Sequence, residues 1–240
     1  MTERALRSLD GRVIAVAGAS GNLGPTVVHR LAGAGATLSL AGRRAAEVER
    51  LAGAIDGPAD ATAVDLLDDA ATRAWADDLA RRHGHVDGLV HLVGGWRGGT
   101  PIEEAPLEDW GWLEQLLVRT VQHTTRAFLP HLLASGRGRV VGISAGQAQA
   151  PTHTNAAYAA AKAAADAWLL AVADRVRGSG TTANLVVVGA IVTPAMRAED
   201  PGRDFTTFTP AEEIAEAVAY LSADAAAAMN GQRLTLRGAA

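Results

Sequence analysis

The sequence predicts an α/β protein: a single-domain, doubly wound parallel sheet with helices on both faces, spanning residues 1–240. Three observations carry this reading. Apolar, β-branched runs alternate with longer helix-patterned stretches from end to end, the order of a parallel sheet joined by right-handed crossovers. The runs are near-continuous, as strands covered on both faces are. No repeat, low-complexity linker or composition break divides the chain.

Strands are expected at 13–17, 36–40, 62–64, 88–93, 139–143, 183–188 and 233–236. Helices are expected between them at 25–32, 45–54, 68–82, 107–133, 156–176 and 210–221. The first strand ends in a glycine-rich turn, and Pro25 then suits a first helical position, where its missing N–H costs nothing. The stretch 156–176 is alanine-dense; alanine favours helix and lets another helix approach closely.

Composition excludes several classes of function. Hydrophobic residues make up 48% and charged residues 20%, which argues against disorder. A formal net charge of −4 offers no basic field for nucleic acid or an anionic membrane. With no cysteine there is no disulfide, thiolate metal site or cysteine nucleophile. No apolar run approaches the ~18–20 residues of a membrane span, and the start, MTERALRSLDGR, lacks a secretion signal. A cytoplasmic location is the expectation. His83 and His85 flank Gly84 with no third ligand evident, so no metal site is expected.

Among 22 Lys+Arg there is a single lysine, Lys162. A lysine that persists in so arginine-rich a chain points to a site where a planar guanidinium would fail. It lies four residues after Tyr158, so on a helix the phenol and ammonium share a face. A nearby Lys⁺, joined by a cationic nicotinamide ring, would lower the phenol's pKa from about 10 and make Tyr158 a usable proton donor and acceptor.

The glycine turn reads Gly18-Ala19-Ser20-Gly21-Asn22-Leu23-Gly24-Pro25. Placed between strand and helix, it allows a tight turn, close backbone approach and helix amides aimed at a pyrophosphate. After the second strand, Arg43 and Arg44 stand where a ribose-binding carboxylate would otherwise be, which suits the 2′-phosphate of NADP over NAD.

With these motifs in place, the sequence resembles the short-chain dehydrogenase/reductase family over nearly its whole length. GASGNLG at 18–24, Asp65-Leu66 after the third strand, YAAAK at 158–162, Gly189-Ala-Ile-Val-Thr193-Pro194, and the closing stretches at 209–221 and 230–238 carry the resemblance. It implies a Rossmann-like fold, an NADP or NAD cofactor, and hydride transfer served by Tyr158 and Lys162. It further implies cofactor contacts from Gly18, Ser20, Gly21, Asn22 and Leu23 at the pyrophosphate, and from Asp65 and Leu66 near adenine. Gly94, Gly189 and Thr193 complete the cofactor set, with Lys162 on the nicotinamide ribose. A small-molecule substrate and a homodimer or homotetramer are the implied partners.

The departures are specific. The family's N-N-A-G appears as His91-Leu92-Val93-Gly94, its helix asparagine aligns with Leu117, and its serine aligns with Ala145, leaving Ser144 next door on a strand whose neighbours alternate faces. Losing one hydrogen-bond donor to the carbonyl oxygen matters by about 10²–10³ in rate. Two readings follow: NADPH-dependent reduction of a small carbonyl or conjugated substrate needing less polarisation, or a catalytically weak nucleotide-binding subunit acting as sensor or partner. Substrate contacts are expected from the loops at 94–104, 147–155 and 195–208, with Trp96 as an aromatic wall, His153 as a stand-in donor, and Arg197 and Arg203 toward an anionic group.

Overall fold

The protein is described by a computed structural model covering residues 8–238. In chain order it forms β1 Val13–Ala17, α1 Gly24–Gly33, β2 Thr37–Gly42, α2 Ala45–Gly53, β3 Ala59–Ala63, α3 Asp69–His83 and β4 Gly88–His91. Then come α4 Glu108–Leu113, a π-helical segment Glu114–Arg119, α5 Thr120–Ser135, β5 Arg139–Ala145, α6 Ala156–Arg175 and β6 Thr182–Val188. The chain closes with β7 Ile191–Val192, α7 Pro194–Glu199, β8 Thr209–Pro210, α8 Ala211–Ser222 and β9 Arg233–Thr235.

Seven strands make one parallel sheet in the order β3-β2-β1-β4-β5-β6-β9. In β1, Ile14 and Val16 face a layer holding Leu31 of α1 and Ile214 and Val218 of α8. Val13 and Ala15 face the opposite layer, with Trp75 and Leu79 of α3, Phe128 of α5 and Leu169 of α6. Burial on both faces is why these strands read as unbroken apolar runs. Helix α6 is 20 residues long and apolar enough, by length and composition, to cross a membrane; here Leu169, Val172 and Ala173 pack into the second layer.

Three sequence expectations need correction. The helix expected over 107–133 is α4, a π-helical turn and α5 in succession. Thr120 and Thr124 donate their hydroxyls to the carbonyls of Leu116 (2.6 Å) and Thr120 (2.8 Å), side-chain bonds that compete with the amide ladder where it widens. The strand placed at 62–64 is β3, earlier and longer; as a half-exposed edge strand with the sequence ADATA it has no apolar run to announce it. The short β7–β8 pair and α7 fall within 189–210, a stretch without a periodic apolar signal.

The end of the sheet opposite the strand C-termini is pinned by charge. Asp87 is buried and accepts from the Val13 amide (3.1 Å), the Ser135 hydroxyl (2.6 Å) and the Arg137 guanidinium (3.0 and 3.1 Å). Burial pushes its carboxyl pKa up, but these donors outweigh that and hold it below the ordinary carboxylate range. The buried guanidiniums of Arg12 and Arg139 donate to the backbone carbonyls of residues 137, 138 and 180 nearby. Asp87→Ala leaves the buried Val13 amide and the half-buried Ser135 and Arg137 donors without their acceptor and should cost about 1–3 kcal/mol of stability in a urea melt.

Candidate active site

A cleft of about 1060 Å³ opens at the C-terminal ends of the strands, across the point where strand order reverses between β1 and β4. Open α/β sheets bind ligands at such switch points because the loops from β1 and β4 diverge there. The glycine turn forms its floor. Gly18 has φ +78°, and a Cβ on it would stand 2.8 Å from the Val93 amide nitrogen. At Gly24 a Cβ would stand 1.8 Å from the Ala19 carbonyl oxygen, so only glycine lets α1 start against the turn. Gly21, Ser20, Asn22 and Leu23 line the cleft beside Gly18.

The other cofactor candidates line the same cleft. Arg43 and Arg44 stand at its mouth after β2, both exposed, with the Arg44 Nε 2.6 Å from Glu47. Asp65 accepts the Leu67 amide at 3.0 Å, and the Leu66 side chain is buried in the wall. Gly94 follows β4. Across the opening, the Gly189 amide donates to Thr209 (3.0 Å) and Thr193 caps α7 by accepting the Met196 amide (3.2 Å).

Tyr158 and Lys162 reach the cleft from the first turns of α6. Lys162 is only 7% exposed, and its Nζ donates to the Ile143 carbonyl at the end of β5 (2.9 Å). Burial lowers its pKa to about 8, opposed in part by the charge of Asp166 one turn further along α6. Tyr158 goes the other way from the sequence expectation. Burial, reinforced by Asp166, pushes its pKa up to about 12 rather than below 10. Desolvation of the phenolate sets the direction, and the Asp166 carboxylate adds to it.

The family of short chain dehydrogenases matches residues 12–204. The chain belongs to that family. Gluconate 5-dehydrogenase of Gluconobacter oxydans is 30% identical over 251 residues, covering 99% of this chain and 98% of its own. A gluconate 5-dehydrogenase from Burkholderia cenocepacia, solved in complex with NADP and tartrate, is 25% identical, covers 98% of this chain and 97% of its own, and superposes with a TM-score of 0.86. An NADPH-bound short chain oxidoreductase from Pseudomonas aeruginosa, described as containing an atypical catalytic center, shares the fold at TM-score 0.88 and 24% identity, over 96% of this chain and 97% of its own.

This short-chain dehydrogenase is thus an oxidoreductase by family, and the structure shows how the residues around Tyr158 and Lys162 pack. Ala145 is buried and lies outside the cleft lining; Ser144 is in the wall, its Oγ shielded and without a hydrogen-bond partner among the described residues. Leu117 packs with Leu113 and Ala161 in a small apolar cluster at the π-helical turn. His91 is buried between the hydroxyls of Thr120 (3.3 Å) and Thr124 (3.1 Å). Burial, together with the Lys162 charge, pushes its pKa down to about 3, so it is a neutral spacer.

Of the four substrate-side residues singled out by role, Trp96 lines the cleft and His153, Arg197 and Arg203 do not. His153 is exposed and outside it. Arg197 and Arg203 border a separate surface groove, stacked on Phe205 (5.9 and 5.3 Å). His83 and His85 lie nearest different carboxylates, Asp60 (4.0 Å) and Asp87 (3.2 Å). Gln147 and Met196, from the loops expected at 147–155 and 195–208, line the cleft, whereas sequence reasoning missed Trp112, Gln115 and Leu116, which line it too. The spacing of 112, 115 and 116 puts those three on one helix face, a readable signal once that face is known to turn toward β4.

The buried lysine makes a pH prediction. Its folded pKa of about 8 lies below the unfolded 10.5, so between those values the unfolded chain binds the extra proton and stability rises with pH. The cost of the buried charge is therefore full below pH 8 and relieved above it. Relative to Lys162→Met, wild type should gain stability across this window in chemical melts. Parallel curves would show that the ammonium is not desolvated.

Proposed function

We propose that this short-chain dehydrogenase is an NADP-dependent reductase, able to use NAD less well, that acts on a small carbonyl or conjugated substrate through Tyr158 and Lys162. The observation that carries the reading is the convergence of Tyr158 and Lys162 on the cleft whose floor is the Gly18–Gly24 turn. The residues fit a dinucleotide: glycines at 18 and 24 let the turn and the start of α1 pack closely enough for the backbone to form the cleft floor, and two guanidiniums stand at the mouth. Gly18, Ser20, Gly21, Asn22 and Leu23 would hold the pyrophosphate, with Arg43 and Arg44 on the 2′-phosphate. Asp65 and Leu66 would flank adenine, while Gly94, Gly189 and Thr193 would border the nicotinamide. Support comes from the Burkholderia gluconate 5-dehydrogenase, whose structure holds NADP.

Held by these residues, NADPH would supply the hydride that reduces the carbonyl carbon. Tyr158 delivers its phenolic proton to the carbonyl oxygen as the C=O bond becomes C–OH. Lys162, anchored on the Ile143 carbonyl, steadies the resulting phenolate and holds the ribose hydroxyls. The phenol then recovers a proton from solvent. With Ala145 where a serine hydroxyl would polarise the carbonyl, the burden falls on Tyr158, which suits activated ketones, quinones or enones over plain ketones. A homodimer or homotetramer belongs to the same reading by family habit.

Tyr158→Phe should abolish NADPH consumption over a panel of ketones, quinones and enones, by about 10³-fold or more, while NADPH still binds. Undiminished turnover would reject the assigned acid. In the same assays Arg43→Ala/Arg44→Ala should weaken NADPH by about 10–100-fold and leave NADH little changed.

A further inference from the structure

We propose that the substrate end of this cleft is built for a neutral, flat aromatic carbonyl compound, with Trp96 and Trp112 as its specificity-determining walls; the inference rests on the reductase reading above. Charge is distributed unevenly along the cleft. Its charged lining residues are Arg43, Arg44 and Asp65, all following β2 or β3, and Lys162, whose Nζ is buried and committed to Ile143. From Tyr158 outward the walls are Trp96, Trp112, Leu116 and Met196, with Gln115 and Gln147 as neutral polar groups. An anionic substrate seated there would lose its hydration with no cation to receive it.

The indoles are placed by the backbone around them. The loop after β4 reads Gly94-Gly95-Trp96-Arg97-Gly98-Gly99. A Cβ on Gly95 would stand 2.7 Å from the Trp112 ring and 2.6 Å from Leu116, and one on Gly98 would stand 3.2 Å from the Trp96 ring. Arg97, the nearest unburied cation in sequence, is turned to structural use: its guanidinium lies over the Trp112 ring at 4.4 Å and bonds Asp109 at 2.9 Å. Trp96 is nevertheless 58% exposed, and Trp112, with Arg97 over one side of its ring, is still 36% exposed. Flat rings stack on exposed indoles, and the two glutamine amides can orient an ester, quinone or keto oxygen without selecting a charge.

The test uses the full chain with NADPH and a matched pair of aryl ketones, methyl 4-acetylbenzoate and 4-acetylbenzoate. NADPH binding is measured first by calorimetry, and ketone binding to the NADPH complex by saturation-transfer NMR, independently of turnover. The ester should bind and react with kcat/KM about tenfold or more above the carboxylate. Trp96→Ala and Trp112→Ala should each raise KM for the ester about several-fold, with NADPH affinity retained as the check on folding, and Trp→Phe at either position should restore most of it. Equal or better use of the carboxylate, or unchanged ester KM in both alanine variants, overturns the inference. If NADPH binds but the ester does not, the aromatic subsite falls while the cofactor reading stands. If the ester binds through the indoles without being reduced, the subsite stands and the reductase reading falls.

Discussion

The site is organised around an ammonium taken out of water. Lys162 sits on the inner face of α6, and its acceptor among the described residues is the backbone carbonyl of Ile143, two residues before the end of β5. Desolvating that charge is unfavourable, and the fall of its pKa to about 8 is the measure of it. The placement fixes the depth and rotation of α6 against β5, and with it the phenol one helical turn earlier. The same constraint explains why one lysine survives among 21 arginines. A guanidinium is larger, needs a forked set of acceptors and cannot shed its proton, so it could not occupy a buried position facing one carbonyl.

Around that fixed pair the rest of the cleft is built from backbone rather than from side chains. The floor is a turn that only glycine can make at positions 18 and 24, and the substrate wall depends on glycines 95 and 98 for the indoles to lie close. Close backbone approach leaves room for a large flat ligand at one end and flat rings at the other. Apart from the buried Lys162, the charged residues of the lining follow β2 and β3. Polar interactions in the wall are neutral, down to the buried His91 between two threonine hydroxyls.

Much of this was legible in the sequence for reasons that are local. The strands of the central sheet are covered on both faces and so announce themselves, and the glycine turn and the Tyr158–Lys162 pair depend only on spacing along one element. What was not legible depends on long-range geometry. The ADATA edge strand lacks an apolar face, and the π-helical turn at 114–119 interrupts the long helix where the apolar pattern runs on, with the Thr120 hydroxyl bonded to the Leu116 carbonyl inside it. The sign of the Tyr158 shift was misread because spacing reveals the neighbouring ammonium but not the burial that sets the direction. Trp112, Gln115 and Leu116 were missed because nothing in their own sequence says which way that helix face turns.

The central claim is that the buried ammonium and its phenol face a bound nicotinamide nucleotide. Because the chain has one lysine, protein labelled with ¹³C-lysine gives a single side-chain resonance that reports on this group alone. Addition of NADPH should shift that resonance saturably, with the dissociation constant found by calorimetry, in wild type and in Tyr158→Phe alike. A resonance that stays still while NADPH binds would place the cofactor elsewhere and contradict the account.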